Sequence, residues 1–377
     1  MSSEKNIKMS TKNKGDPLEI FSPQAIRDLV TWYRKNKRPL PWRDTEDPYD
    51  VWLSEIMLQQ TRIEAAKGYF ARFKKRVKTV TDLAEVSEEE LLKLWEGLGY
   101  YNRARNLKKA AERLVQSHEG TLPHMEKELL ELPGIGPYTA AAIASLAFGE
   151  KAACVDGNVL RVVARTICLN EDVGKQSLRK AVKNRLEQEM EEAQKGMGGN
   201  FYGDFNQGLM ELGEVVCLPG GVPLCGECPL KEGCQARKEG TQLAYPRRGE
   251  KKPRKVVKRS IFLVRYQEKV GIAKRGDTGL LAGMYEFPGE DRWMKREEVR
   301  EQWGGDVEEI GGATHVFSHV EWNMKGFAVT VREPVGELEY VDVTELEAYP
   351  IPTAFMFYKK WLASRLMSGK PAGKEKR

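Results

Sequence analysis

Along the first 240 positions apolar residues recur every three or four places, the spacing of amphipathic helices. Ser22-Pro23 sets a cap and a first-turn proline ahead of one apolar stripe, Ile26, Leu29, Val30 and Tyr33. The same spacing predicts a helix over roughly 49–60, through Val51, Leu53, Ile56 and Met57. Ser87 with Glu90 reads as a capping box before Leu91, Leu92 and Leu94. Further helices are expected over 103–117, 137–148, 159–169, 176–192 and 203–216. No strand-like alternation of any length interrupts them, so residues 21–240 read as one all-α domain.

The texture then changes. Residues 247–259, RRGEKKPRKVVKR, hold eight basic residues, one acid and a proline, the pattern of an exposed linker, assigned here to 241–259. Period-two alternation predicts strands at 260–266 and 270–274, followed by the glycine-rich run GLLAGMYEFPGE. A helix is expected at 293–303, strands at 315–320, 327–331 and 339–343, and a closing helix at 353–367. Residues 260–368 therefore read as a separate α+β domain, with polar tails at 1–20 and 369–377 and no internal repeat.

Composition bounds the function. The 377 residues, 41% hydrophobic and 31% charged with a mean hydropathy of −0.54, suit a soluble chain of about two or three domains. The longest nearly apolar stretch, 138–149, is too short to span a bilayer, so no membrane role is expected. The N-terminus lacks the apolar core of a signal peptide. A net charge of +6 permits a nucleic-acid partner without requiring one. Cys217, Cys225, Cys228 and Cys234, spaced C-x7-C-x2-C-x5-C, point to a metal or cluster in a reducing cytosol. One CxxC knuckle instead of two favours a [4Fe–4S] cluster over zinc but leaves both open. Cys154 and Cys168 fall among apolar residues and read as core, while His118 and His124 read as surface.

The run Leu132-Pro-Gly-Ile-Gly-Pro-Tyr-Thr-Ala140 is a tight turn opening a helix. Gly134 and Gly136 let backbone approach something closely, and a helix start offers free amides to an anion. With the helical pattern at 126–132, it resembles the helix-hairpin-helix that holds a DNA phosphate through backbone amides, with a bound cation. Glu55 by itself would be a surface glutamate, though it borders the Leu53, Ile56, Met57 seam, where desolvation would raise its pKa. Asp156, in Val-Asp-Gly-Asn, would by itself be a helix N-cap.

Together these features are similar to the base-excision DNA glycosylase superfamily. Leu40-Pro-Trp-Arg43, Ser54-Glu-Ile-Met-Leu-Gln-Gln-Thr-Arg62, Gly99-Tyr-Tyr101 and Phe317-Ser-His319 narrow the resemblance to the A/G-specific adenine glycosylases (MutY family), across about 22–365. The resemblance implies a monomeric enzyme that removes adenine mispaired with 8-oxoguanine or guanine in double-stranded DNA. It implies that Glu55 protonates the flipped adenine at N7 and later activates water. Asp156 would stabilise the oxocarbenium-like sugar, with Tyr138 and Asn158 in support. Strand-cutting relatives carry a Schiff-base lysine where this chain has Tyr138, so a monofunctional enzyme is expected. Arg38, Leu40, Trp42, Arg43 and Gln207 would read the extruded base, with Leu58 and Thr61 in the same motif. Gln60 and Tyr100 would wedge into the stack. The four cysteines would hold a [4Fe–4S] cluster.

Leu280 to Gly289 resembles the approach to a Nudix box, but the G-x5-E spacing from Gly289 lands on Lys295, so this lobe should bind and not hydrolyse. Phe317, Ser318 and His319 match the family loop that contacts 8-oxoguanine. Two departures stand out: seven residues instead of six between the first two cysteines, none cationic, and an apparent insertion at 195–200. The alternatives are a G:T thymine glycosylase, which resembles only the helical half, and a non-enzymatic iron–sulfur DNA-binding protein, which would not need both Glu55 and Asp156.

Overall fold

The structure, a computed structural model, describes residues 19–43, 45, 47–249, 253–276 and 278–367. The expected tails lie outside these residues except at Glu19 and Ile20. Backbone packing divides the chain into two units: 1–85 with 106–250, and 86–105 with 251–377.

The first unit is helical: α1 (Pro23–Asn36), α2 (Pro48–Leu58), α3 (Ile63–Arg76) and α4 (Val80–Glu85) precede the segment given to the other unit. That segment carries α5 (Glu88–Leu94) and the first turn of α6 (Asn102–His118). The remaining helices are α7 (Glu126–Leu129), α8 (Pro137–Phe148), α9 (Gly157–Thr166), α10 (Gln176–Ala193), α11 (Phe201–Val215) and α12 (Gln235–Glu239). Their starts follow from local chemistry. The Ser22 hydroxyl accepts from the Ala25 amide at 3.3 Å, and Asp47 accepts from Tyr49 at 3.0 Å ahead of Pro48. α11 packs against α1, α8 and α9, and Phe205, Leu209 and Leu212 fill the seam with Leu29, Val159 and Val163. α2 is buried on nearly every side, from Val51 through Met57, as expected of an element in the middle of a helical layer.

Ile20 belongs to this core and not to a polar tail: it is buried, and its amide and that of Phe21 donate to the buried Glu189 carboxylate at 2.6 and 3.0 Å. The supposed insertion at 195–200 also has a built role. Asn200 caps α11 by accepting from Gly203 (2.9 Å) and donates to the Ser145 and Leu146 carbonyls at the end of α8. Cys154 is fully buried, but Cys168 is not core. It is half-buried with φ +50°, and its thiol faces Glu239 and Thr241.

The second unit is built on a mixed seven-stranded sheet of order β3-β2-β1-β6-β5, with β4 paired to β1 and β7 to β2. Its strands are β1 (Lys255–Tyr266), β2 (Lys269–Lys274), β3 (Tyr285–Glu286), β4 (Gly289–Glu290), β5 (Asp306–Val316), β6 (Val320–Thr330) and β7 (Glu339–Asp342). β1 and β6 run parallel over their full register, from Lys255 beside Val320 to Arg265 beside Thr330. One face carries Ile261, Leu263, Trp322 and Met324 under α14 (Met356–Met367), and the other carries Phe262, Val264, Phe327 and Val329 with α13 (Arg296–Trp303). A parallel strand between two packed faces reads as a continuous apolar run, here Ile261 to Val264.

The linker expectation is corrected at both ends. Residues 241–247 are tied to the helical unit: Arg165 donates to the carbonyls of Gln242 (2.9 Å) and Tyr245 (3.2 Å), and Val173 donates to Arg247. β1 begins at Lys255, and Arg259 is buried beside Trp322 with Asp291 as ion-pair partner. The charge run masked a strand because five of its residues pair with β6. The helix expected from 293 starts at Arg296, and the closing helix opens with a 3-10 turn at Thr353–Phe355.

Candidate active site

A cleft of about 820 Å³ opens in the first unit, lined by Arg38, Leu40, Trp42, Arg43, Glu55, Leu58, Gln60, Thr61, Tyr138, Asp156, Asn158 and Gln207. The residues expected to read or cleave the extruded base, with Gln60, are therefore gathered on one surface, whereas Tyr100 does not line this cleft and packs with the second unit. α2 supplies Glu55, the second residue of α8 supplies Tyr138, the start of α9 supplies Asp156 and Asn158, and α11 supplies Gln207.

The two carboxyl groups live in different environments. Glu55 is only 7% exposed, and burial raises its pKa to about 7, aided by the charge of Asp156 and opposed by Tyr138 and Arg43. It is an acid that holds or yields a proton near neutrality. Asp156 is the α9 N-cap, so the capping and pocket roles coincide in one side chain. Its Oδ1 accepts from the Val159 amide at 2.7 Å and its Oδ2 from Asn158 Nδ2 at 2.9 Å. Burial raises its pKa as well, but two backbone amides, the charge of Arg161 and the Asn158 amide all oppose the rise. These donors, together with the positive end of α9, favour the anion. The Tyr138 hydroxyl is hydrogen-bonded with Glu55 and lies 3.0 Å from Met210 Sδ. Burial holds Tyr138 well above the ordinary phenol pKa, so it stays a neutral donor.

Behind Asp156, the fully buried Asn206 ties the segment that delivers the aspartate to α8. Its Oδ1 accepts from the Cys154 amide (2.9 Å), and its Nδ2 donates to the Ala152 carbonyl (2.7 Å) and Ser145 Oγ (2.8 Å). Beside it, Gln207 Oε1 accepts from the Tyr33 hydroxyl at 2.5 Å, which orients the Gln207 amide. Glu211, one turn further along α11, accepts from Arg38 Nε at 2.5 Å and also from Arg43. Burial would push the Glu211 carboxyl up, yet the two guanidiniums overcome it and hold it below the usual value. Sequence reading missed Glu211 and Asn206. Position offered little signal, since α11 also carries Asp204 and Glu214; only the spacing of Glu211 one turn beyond Gln207, and of Asn206 beside it, pointed to the pocket.

The glycine turn joins α7 to α8. Gly134 has φ +77°, and a Cβ there would lie 2.5 Å from Asn106 Cβ, so only glycine fits. Gly136 is the exposed N-cap of α8 without a side-chain cap, which leaves the first amides of the helix free for an acceptor. Tyr138 follows two residues later, so the hairpin and the pocket share one helix start. Gln60, exposed at the end of α2, has φ +60°, a conformation that a residue without special freedom adopts only under constraint.

Against known proteins, residues 53–188 match the HhH-GPD superfamily base excision DNA repair protein model, and 260–358 match the NUDIX domain model. The adenine DNA glycosylase of Homo sapiens is 31% identical over 387 residues, spanning 84% of this chain and 69% of that protein. The chain belongs to the adenine DNA glycosylase family. The adenine DNA glycosylase of Schizosaccharomyces pombe is 29% identical, over 83% of this chain and 84% of that one. Among solved structures, a thermostable thymine-DNA glycosylase is 30% identical with a TM-score of 0.48, covering 57% of this chain and 95% of that one.

In this family member the four clustered cysteines are free thiols around one recess that also takes in Arg165, Leu230, Lys231, Arg237 and Gln242. Arg165 donates to Cys217 Sγ at 3.2 Å, and backbone amides near Leu230 and Ala236 point at Cys228 and Cys234. Burial pushes the Cys228 and Cys234 thiols up, and these N–H donors oppose that rise. Among the described residues no three Cys, His, Asp or Glu side chains converge as a single ion requires. α9 joins the recess to the pocket: Arg161 donates to Asn158 Oδ1 (3.0 Å) and to the carbonyls of Gly213 (2.7 Å) and Cys217 (2.8 Å).

In the second unit, Phe317, Ser318 and His319 form the turn between β5 and β6. Phe317 packs inward between His315 and Trp322, with ring centroids 4.6 and 4.9 Å away, and Ser318 and His319 stand exposed. Where a Nudix box would place carboxylates, Lys295 instead caps α13.

Proposed function

We propose that this adenine glycosylase acts on adenine opposite 8-oxoguanine, and more weakly opposite guanine, leaving an abasic site in an uncut strand. The observation that carries the reading is the unequal carboxyl pair in one cleft, a buried Glu55 near its own pKa and an Asp156 held by cationic and N–H donors. The extruded base enters the cleft, and Glu55 gives its proton to adenine N7. The C1′–N9 bond then breaks with its electron pair leaving on adenine, and Asp156 stabilises the cationic sugar that remains. Glu55, now a carboxylate, takes a proton from water, whose oxygen closes the bond to C1′. Tyr138 supplies no amine for a Schiff base, which supports a monofunctional outcome.

The hairpin amides at Gly134 and Gly136, with a cation, would hold a backbone phosphate, and Ser318 and His319 would read the base opposite. Four thiols around one recess, with one CxxC knuckle instead of two, are the donor set of a cluster more than of a zinc ribbon. Cys217, Cys225, Cys228 and Cys234 would hold a [4Fe–4S] group whose role is to staple the loop. This chemistry suits a monomer working on DNA in a reducing cytosol.

The test is single-turnover base release from duplexes with A opposite 8-oxoguanine, G or T, and from G:T. Adenine release in the order 8-oxoguanine, then G, with the strand intact until alkali is added, is expected. Loss of all release in Glu55→Gln with DNA binding retained completes the expectation. Thymine release, or undiminished release by Glu55→Gln, would overturn it.

A further inference from the structure

Residues 86–105 follow a helix of the first unit in sequence, yet they pack with the second. Two latches fix them there, one on each side of a tight turn. On the first side, Lys93 donates to the Glu347 carbonyl and to the Glu96 carboxylate at 2.7 Å. Lys359 of α14, only 6% exposed, sits 3.0 Å from Glu347 Oε1 and 3.8 Å from Glu96 Oε1. On the other side, Arg105 donates to Glu88 Oε1 at 2.7 Å and to the Ala282 carbonyl. Gly283 has φ +64°, which favours glycine, and a Cβ there would lie 2.5 Å from the Arg105 guanidinium and displace it from this carbonyl. A buried ammonium needs anionic partners, and Lys359 has the full pair only while this segment is docked.

Between the latches the chain turns sharply, with φ +93° at Gly97, +69° at Gly99 and +51° at Tyr100. The Tyr100 ring, 45% exposed, lies 5.6 Å from the Arg103 guanidinium, which also faces the Trp95 ring at 5.4 Å. Arg103 in turn donates to the carbonyls of Leu98 and Gly99. An exposed aromatic ring braced at the tip of a constrained turn is suited to stacking into a duplex that is losing a base.

We infer that the second unit positions this wedge: Lys359 and Arg105 set the 97–101 turn so that Tyr100 and the β5–β6 loop travel as one body. The lobe carrying Ser318 and His319 thereby also carries a residue that opens the stack. The inference deepens the adenine-release reading and rests on it for the identity of the substrate. Lys359 and Arg105 are positioning residues, since neither need touch DNA.

The experiment is a double-mutant cycle on the full chain, read by the fluorescence rise of 2-aminopurine placed at the target position opposite 8-oxoguanine. This signal reports unstacking and does not depend on base release. Lys359→Met and Tyr100→Ala should each slow unstacking by about three- to tenfold, and the double variant should be no slower than Tyr100→Ala alone. Lys359→Arg should restore the rate. Because a buried methionine could cost folding, Glu96→Gln cuts the same link from the other end and should likewise be silent once Tyr100 is alanine. Multiplying effects in either cycle, or an unaffected rate in Lys359→Met and Glu96→Gln, would overturn the inference. Absence of adenine release by the wild-type chain would overturn the substrate reading instead.

Discussion

Glu55 and Asp156 show how much of a site one residue's surroundings decide. The sequence puts Glu55 against the Leu53, Ile56, Met57 seam, enough to anticipate a raised pKa, but not the charge of Arg43 or the tyrosine that tempers it. Glu211 was illegible because its meaning comes from Arg38 and Arg43, more than 160 positions away. Two measurable consequences follow from the Glu55 pKa of about 7. The proton donor is lost as pH rises, so base release should fall by about tenfold per unit above roughly pH 7. Stability moves the same way. The folded group holds its proton up to about pH 7, whereas the unfolded one ionises near its ordinary value of 4.5. Stability is therefore lost as pH climbs between those values, by roughly 3 kcal/mol once both are passed. Glu55→Gln should melt close to the wild type at pH 4.5 and several degrees above it at pH 8, as thermal unfolding at the two pH values would show. Equal differences at both would mean that Glu55 is not the buried acid described.

At the scale of elements, caps and apolar spacing located the helices well. Ser22, Ser87 and Asp156 cap the helices their sequence contexts suggest, and 137–148 is α8 to the residue. What failed was composition used in place of pairing. The basic run at 247–259 suggested a linker, but pairing with β6 claims its last five residues and the Val173 amide donates to the Arg247 carbonyl at its start. Cys168 looked like core because its neighbours are apolar, while its left-handed backbone turns it toward Glu239 and Thr241. The cysteine loop shows the opposite case, in which spacing alone predicted four sulfurs around one recess. The recess is framed by amide and guanidinium donors. Protein purified without oxygen should therefore contain about four irons per chain and absorb in the visible. One zinc per chain without visible absorbance would make the loop a mononuclear site.

At the scale of the molecule, the least legible feature is that the second unit is discontinuous. The capping box at Ser87 announces a helix but not which lobe will own it; that depends on Lys359 and Ala282, which lie far along the chain. This ownership changes how lesion reading should be tested. Removing the chain beyond 247–259 would strip residues 86–105 of the surface they pack on, and a cut past Lys255 would also sever β1, so any loss of selectivity would be ambiguous. Substitutions at the tip of the β5–β6 turn avoid this, because Ser318 and His319 are exposed while Phe317 anchors the turn beneath them. Adenine is a normal base, so a cleft that accepts it cannot tell a mispair from A:T; the opposite base must supply the difference. If a hydroxyl and an imidazole engage the altered edge of 8-oxoguanine, each good contact is worth roughly 1–3 kcal/mol of discrimination. Ser318→Ala with His319→Ala should then lower the affinity preference for 8-oxoguanine:A over G:A by at least about fivefold at one fixed salt concentration. The single-turnover rate on G:A should be unchanged, since nothing in the helical cleft is altered. An unchanged preference would assign lesion reading to the helical unit and leave the β5–β6 turn without that role.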